Sequence, residues 1–266
     1  MPQTHIFATK IQRWDGDRLW HTWEHTTNPR LENLLTATDY LIVISYGTPP
    51  YKVVLGVPHQ AALGVPRICE RRLDRQGNVN DRKADHNVAS FALVAFSRLR
   101  DRAISCKLVI MAHATTHDPN KQVNSPYCRE IFGDELQLLF ECHGSGPKRK
   151  LDLELSAGSN HLGQPVSFGR TLASDLDYQY SLGMQTVTRR SSALILRPGG
   201  TVTSGKLQLP AVKTASLIEA GNRGIPALHL EAKPRFRVPG SSTSTVSSSG
   251  RILGRAIAAT ISLLAG

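Results

Sequence analysis

Apolar residues gather along this chain in short, dense runs separated by polar stretches that carry glycine and proline. Asp39 to Gly47, DYLIVISYG, is a β-branched run; the turn signal GTPP follows it, and YKVVLGVPH comes next, so the pair predicts an opening hairpin. After His59 a long polar loop extends to DRKADHNVASFALVAFSRLRDR, where the period becomes helical. Val88, Phe91, Ala92 and Ala95 fall on one face there, and arginines fill the last turn, where they suit the helix dipole. CKLVIMAHA predicts a third strand. TTHDPNKQVNSP predicts a loop, because Pro119 and Pro126 resist helix, and Tyr127 to Phe132 a short helix. LQLLFECHG is a fourth strand and KLDLELSAG a fifth, with Leu151, Leu153 and Leu155 alternating against Asp152 and Glu154. Farther on, the pattern predicts a helix around Arg170 to Asp177, a strand at Ala193 to Leu196, a helix near Val212 to Gly221 and a strand at PALHLEAK. Strands alternating with helices imply a single α/β domain on a mixed, mostly parallel, twisted sheet flanked by helices.

The two ends stand apart from that domain. Residues 1–38 form an N-terminal extension, 39–239 the α/β domain, 240–250 a Ser/Thr/Gly linker (GSSTSTVSSSG), and 251–266 an amphipathic segment expected to dock on the domain. No run approaches the roughly 18 uninterrupted apolar residues of a membrane span. The start lacks the basic flank and apolar stretch of a secretory signal, so the expectation is a soluble, cytoplasmic protein without a membrane partner. Cys69, Cys106, Cys128 and Cys142 are widely spaced and form no C-x-x-C pair, which argues against a zinc ribbon or a disulfide framework. The formal net charge of +11 raises nucleic acid as a partner. The basic residues, however, sit in scattered short groups with few aromatics and no binding motif, so nucleic acid is not expected as the main partner.

The chemistry gathers at strand ends. In YKVVLGVPH, Val53, Leu55, Val57 and His59 share one face with the histidine at the exit; in LLFECHG, Leu139, Glu141 and His143 do the same. Two imidazoles at two strand exits can converge on a metal, and zinc takes nitrogen and carboxylate ligands while keeping a position open for water. Asp85 and Glu70 both stand as candidates for a third, carboxylate ligand. Asp85 is expected to open the helix, where the positive helix end favours a carboxylate, and Glu70 lies in the loop among arginines.

The order PH at a strand end, R-x-x-D before a helix (Arg82, Asp85), HDPNK (His117 to Lys121), FECHGSG and PALHLEAKPRF resembles the zinc-dependent N-formylglutamate amidohydrolases. It is more distantly similar to the zinc carboxypeptidases and acylamino-acid deacylases that share their fold. The resemblance spans roughly Asp39 to Phe236. It implies a zinc-carboxypeptidase-like fold with His59, His143 and Asp85 as zinc ligands, Asn120 and Lys121 on the segment that holds a substrate carboxylate, and Glu231 as general base; by strand alternation His229 points the same way as Glu231. The implied substrate is a small N-acylated amino acid or a peptide-like molecule bearing a carboxylate. Two departures stand out. Lys121 replaces the usual arginine and loses its bidentate fork, and Gln60 and Ala61 follow His59 where serine and glycine are common. A second reading, from another class, is a catalytically silent basic binding module on the same fold, with ERRLDRQGNVNDR (Glu70 to Arg82) as its contact surface.

Overall fold

The computed structural model describes residues 7–15, 18–25, 40–62, 68–70, 73–80, 82–112, 118–146, 153–157, 201–202, 214–239 and 244–265. In chain order the first elements are β1 (Phe7–Asp15), β2 (Arg18–His25), β3 (Tyr40–Tyr46), β4 (Val53–Val57), β5 (Gln60–Ala61), β6 (Ile68–Glu70), β7 (Arg82–Lys83), β8 (Asp85–His86), α1 (Ala89–Asp101) and β9 (Cys106–Ala112). There follow α2 (Pro126–Phe132), β10 (Leu139–Gly144), β11 (Leu153–Ala157), β12 (Thr201–Val202), α3 (Ala215–Asn222), β13 (Ala227–Ala232), α4 (Pro234–Arg237) and α5 (Ser248–Ala265). The helix expected around Arg170 to Asp177 and the strand at Ala193 to Leu196 lie outside the described residues.

One sheet runs in the order β12-β11-β13-β10-β4-β9-β3-β1-β2. Its centre is parallel, with β13, β10, β4 and β9 all pointing the same way. Antiparallel strands extend it on both sides: β11 and β12 beyond β13, and β3, β1 and β2 beyond β9. This is the mixed α/β sheet that the runs predict.

Two local expectations change. β3 and β4 do not form a hairpin; β9 lies between them, antiparallel to β3 and parallel to β4. Every residue of β4 and of β9 is buried, and β4 is apolar throughout; such strands belong inside a sheet covered on both faces, not in an opening hairpin. Pro119 also starts a helical turn where a loop was expected, while the short helix expected at Tyr127 to Phe132 forms one residue earlier, from Pro126. Pro119 opens a 3-10 turn behind Asp118, whose side chain accepts from the Asn120 N–H, and Pro126 opens α2 behind Ser125, whose hydroxyl accepts from the Cys128 N–H. Proline at a first helical position gives up no hydrogen bond.

Alternation sorts the side chains into two layers. Ile44, Leu55, Leu108 and Phe140 pack with Phe91, Phe96, Leu253 and Ile257 on the α1/α5 side. Val43, Val54, Val109 and Leu139 pack with Tyr127, Ile131 and Leu217 on the α2/α3 side. α5 starts inside the Ser/Thr/Gly run and lies along α1. Gly254 permits that approach, since a Cβ there would fall 2.6 Å from the Phe91 carbonyl oxygen and 2.7 Å from Val94 Cβ. The four cysteines are buried thiols. Among the described residues, no helix is long and apolar enough to cross a membrane.

Candidate metal centre

Parallel strands deliver their side chains to a common carboxyl end, where open α/β sheets leave a crevice. In the β10/β13 pair, Glu141 lies opposite His229 and His143 opposite Glu231. All four sit on the α2/α3 side, because their neighbours Phe140, Cys142, Leu228 and Leu230 face the other layer. His59 follows β4 in a turn, and its carbonyl accepts the Asp85 N–H at 2.7 Å. β5 and β8 then pair in parallel, with Gln60 opposite Asp85. Asp85 therefore sits on a short strand and not at the start of the helix. Asn87, with φ of 54°, turns the chain between the two, and α1 begins at Ala89. Gln60 is part of that junction: its Oε1 accepts the Ala89 N–H at 2.8 Å, at the first residue of α1.

Three donor atoms converge at this end. His59 Nδ1 lies 3.7 Å from Asp85 Oδ2, His143 Nδ1 lies 3.9 Å from the same oxygen, and the ligand atoms of the three residues all fall within 4.8 Å of one another. These gaps exceed a hydrogen bond. They approach the roughly 3.4 Å edge of a tetrahedron with bonds of about 2.0–2.1 Å to zinc. The other nitrogen of each ring faces a buried carboxylate: His59 Nε2 lies 2.8 Å from Asp118 Oδ1, and His143 Nε2 lies 3.6 Å from Glu141 Oε2. At His59, Asp118 accepting at Nε2 places the ring proton there and turns the Nδ1 lone pair toward Asp85; Glu141, at 3.6 Å, faces His143 Nε2 without a hydrogen bond. Lone pair and carboxylate then face each other, and such a pair calls for a positive charge between them. The donor set fits zinc.

In the metal-free protein the two rings act on Asp85 as donor and positive charge instead. Burial pushes the Asp85 carboxyl up, but His59, His143 and the Gly144 N–H at 2.9 Å more than reverse this, and it ionises below its ordinary range. Burial, reinforced by the charge of His229, lowers the pKa of His143 and favours the neutral ring that a ligand needs. His229 behaves oppositely. Burial alone would lower it, yet Glu141 and Glu231 raise it to about 9. Its Nε2 lies 3.2 Å from Glu231 Oε1 and its Nδ1 3.7 Å from Glu141 Oε2, and its ring stacks on His143 at 3.9 Å.

Glu141 Oε2, His143 Nε2 and His229 Nδ1 make a second close triad. A neutral imidazole has one lone pair, so His143 serves a cation on one side only. Glu141 and Glu231 hold His229 toward its charged form, which favours pairing with those carboxylates over ligation. Glu141 also accepts the Tyr127 hydroxyl at 2.9 Å, and Gly56 makes room for that contact, since a Cβ there would collide with Tyr127 Oη.

Of the remaining expected residues, Glu231 flanks the centre on β13 with its side chain 14% exposed. Asn120 is buried, with its amide 3.4 Å from His143 Nε2. Lys121 is half exposed and lies 3.2 Å from Asp118 Oδ2. Glu70 has its backbone on β6 opposite Arg82, and its side chain lies outside the described residues. Sequence reasoning passed over Asp118 and the buried role of Glu141. Asp118 stands directly before Pro119 in the quoted HDPNK, a capping position that fixes its side chain, and this was the available signal.

No protein-family model and no curated protein matches this chain. Among solved structures it is similar to a metallo-carboxypeptidase from Burkholderia cenocepacia, at 13% identity and a TM-score of 0.46 over 97% of this chain and 80% of that one. It is also similar to a metallo-carboxypeptidase from Pseudomonas aeruginosa in complex with (2-guanidinoethylmercapto)succinic acid, at 12% identity and a TM-score of 0.46 over 96% and 80%. The CwlD amidase from Clostridioides difficile, in complex with the GerS lipoprotein, matches at 10% identity and a TM-score of 0.35 over 80% of this chain and 97% of that one.

Proposed function

We propose that this chain is a zinc-dependent hydrolase that cleaves an amide bond in an N-acylated amino acid or peptide-like substrate bearing a carboxylate. His59, Asp85 and His143 hold the metal, and Glu231 is the general base. The observation that carries the reading is the convergence of two buried imidazoles on one carboxylate oxygen, 3.7 and 3.9 Å away. Zinc bound there supplies Lewis acidity toward a carbonyl and makes bound water acidic.

The protein's own groups do the rest. Glu231 takes the proton of the attacking water and returns it to the leaving nitrogen. His229, charged and 3.2 Å away, keeps Glu231 in the ionised form that a proton acceptor needs; burial raises the Glu231 carboxyl, and His229 more than offsets that. Asp118 fixes the His59 ring, and Glu141 faces the His143 ring. Lys121, reachable from solvent, takes the substrate carboxylate with Asn120 beside it, and a net charge of +11 agrees with an anionic substrate. The test is metal analysis of protein purified without added metal, before and after chelation, paired with turnover of an N-acyl amino acid. About one zinc per chain is expected, with turnover that chelation removes and zinc restores. A chain that takes up no zinc ends this reading.

A further inference from the structure

Arg237, the last residue of α4, is 5% exposed, an uncommon place for a guanidinium. Its donors spread over three separate stretches of backbone. Nε donates to the Ala232 carbonyl at 2.9 Å, Nη1 to the His86 carbonyl at 2.6 Å and Nη2 to the Ser145 carbonyl at 2.9 Å. Each carbonyl belongs to a residue one or two positions after a group of the centre: Ala232 follows Glu231, His86 follows Asp85, and Ser145 closes His143-Gly144-Ser145.

The three ends are also tied to each other beneath the guanidinium. The Ser145 N–H donates to the Ala232 carbonyl at 2.9 Å, and the Gly144 N–H donates to Asp85 Oδ2 at 2.9 Å. Gly144 is shaped to the clamp, because a Cβ there would sit 2.7 Å from Arg237 Cζ and 2.9 Å from Asp85 Cβ. Asn87 fixes Arg237 in turn, donating to its carbonyl at 2.6 Å and to that of Thr245 at 2.8 Å. Burial works against the charge of the guanidinium, and the Asp85 and Glu231 carboxylates act against that loss.

We propose that Arg237 is the positioning residue of the centre: one buried guanidinium sets the spacing of the three chain ends that present Asp85, His143 and Glu231. A lysine cannot replace it, since a point charge on a flexible stem does not span three carbonyls held in a planar fork. What is positioned rests on the zinc-hydrolase reading; the clamp itself does not.

The test uses Arg237→Lys and Arg237→Ala in the full chain, with folding checked by circular dichroism. Amide hydrogen exchange at Gly144 and Ser145 is followed in the metal-free protein, and zinc affinity is measured by competition with a chromogenic chelator. Both variants should exchange those amides faster and bind zinc about 10–100-fold more weakly, the usual loss when an outer partner of a metal site is removed. Guanidinium ion at millimolar concentration, too dilute to denature, should restore zinc affinity to Arg237→Ala and leave the wild type unchanged, a rescue that a general loss of stability does not show. Folded variants that bind zinc as the wild type does overturn the proposal. If neither variant folds, Gly144→Ala displaces the guanidinium from the other side, and undiminished zinc affinity there overturns it equally. A wild-type chain that takes up no zinc removes the hydrolase reading instead. The clamp is then judged on exchange alone, and unchanged exchange in Arg237→Lys overturns it.

Discussion

A histidine ring offers two nitrogens, and the group that holds one decides what the other can do. His59 and His143 each turn Nε2 toward a buried carboxylate and Nδ1 toward Asp85. Asp118→Asn and Glu141→Gln should therefore weaken zinc binding about 10–100-fold without removing a ligand, whereas His59→Ala and His143→Ala should release the metal. Chelator competition on the four variants checks the order, and equal losses throughout would place the carboxylates among the ligands. Glu231→Gln should retain zinc and lower kcat by about two to four orders of magnitude; loss of metal in that variant would make Glu231 a ligand. His229 sets a pH dependence in the metal-free protein. Its pKa is raised in the folded state from 6.5 to about 9, so the folded chain holds that proton more tightly than the unfolded one. The resulting stability is fully present below pH 6.5 and is lost as pH rises through about 9. By linkage the loss is on the order of 3 kcal/mol. Thermal melts of chelated protein across that window should show falling stability, and His229→Gln should flatten the fall; an unchanged slope in the variant would assign it to another group.

Periodicity reports which face of an element is buried and says much less about which element lies beside it. It placed β9, β10 and β13 and the buried face of α1, and it brought His143 to the strand end where it is found. It missed the partner of β4, because β3 and β9 are equally apolar and only the assembled sheet distinguishes them. It also joined Asp85 to the helix: the sequence ADHNVASF looks continuous, and the break at Asn87 is a single positive φ held by side-chain bonds to distant carbonyls. α5 docks along α1, and its start at Ser248 falls inside the Ser/Thr/Gly stretch. Gly254 tests that docking. Gly254→Val would press a branched side chain into the Phe91 carbonyl and Val94, at a cost of about 1–3 kcal/mol if α1 and α5 part slightly. Urea titration should show the lowered midpoint, while zinc affinity stays as in the wild type, because this layer and His143 lie on opposite faces of the sheet. A parallel loss of zinc affinity would mean that the two layers are coupled.

The centre draws on segments that the chain keeps far apart: the turn after β4, the short strand β8, the turn before α2, and the ends of β10 and β13. Sequence can name residues capable of ligation at each place. It cannot show that Asp118 backs His59 or that Arg237 reaches three carbonyls, because those contacts exist only once the parallel strands are in register. The same separation has a thermodynamic consequence. An ion held by His59, Asp85 and His143 links three segments that drift apart in the unfolded chain, so binding energy becomes folding energy. Zinc at about 100 times its dissociation constant should add about 2.7 kcal/mol to unfolding stability, provided the unfolded chain does not compete. His59→Ala lacks a ligand and should melt at one temperature with or without zinc. Glu231→Gln keeps all three ligands and should show the full wild-type increase while remaining inactive. That contrast separates metal binding from turnover in a single set of melts. A zinc-dependent rise in His59→Ala as large as in the wild type would place the ion elsewhere in the molecule.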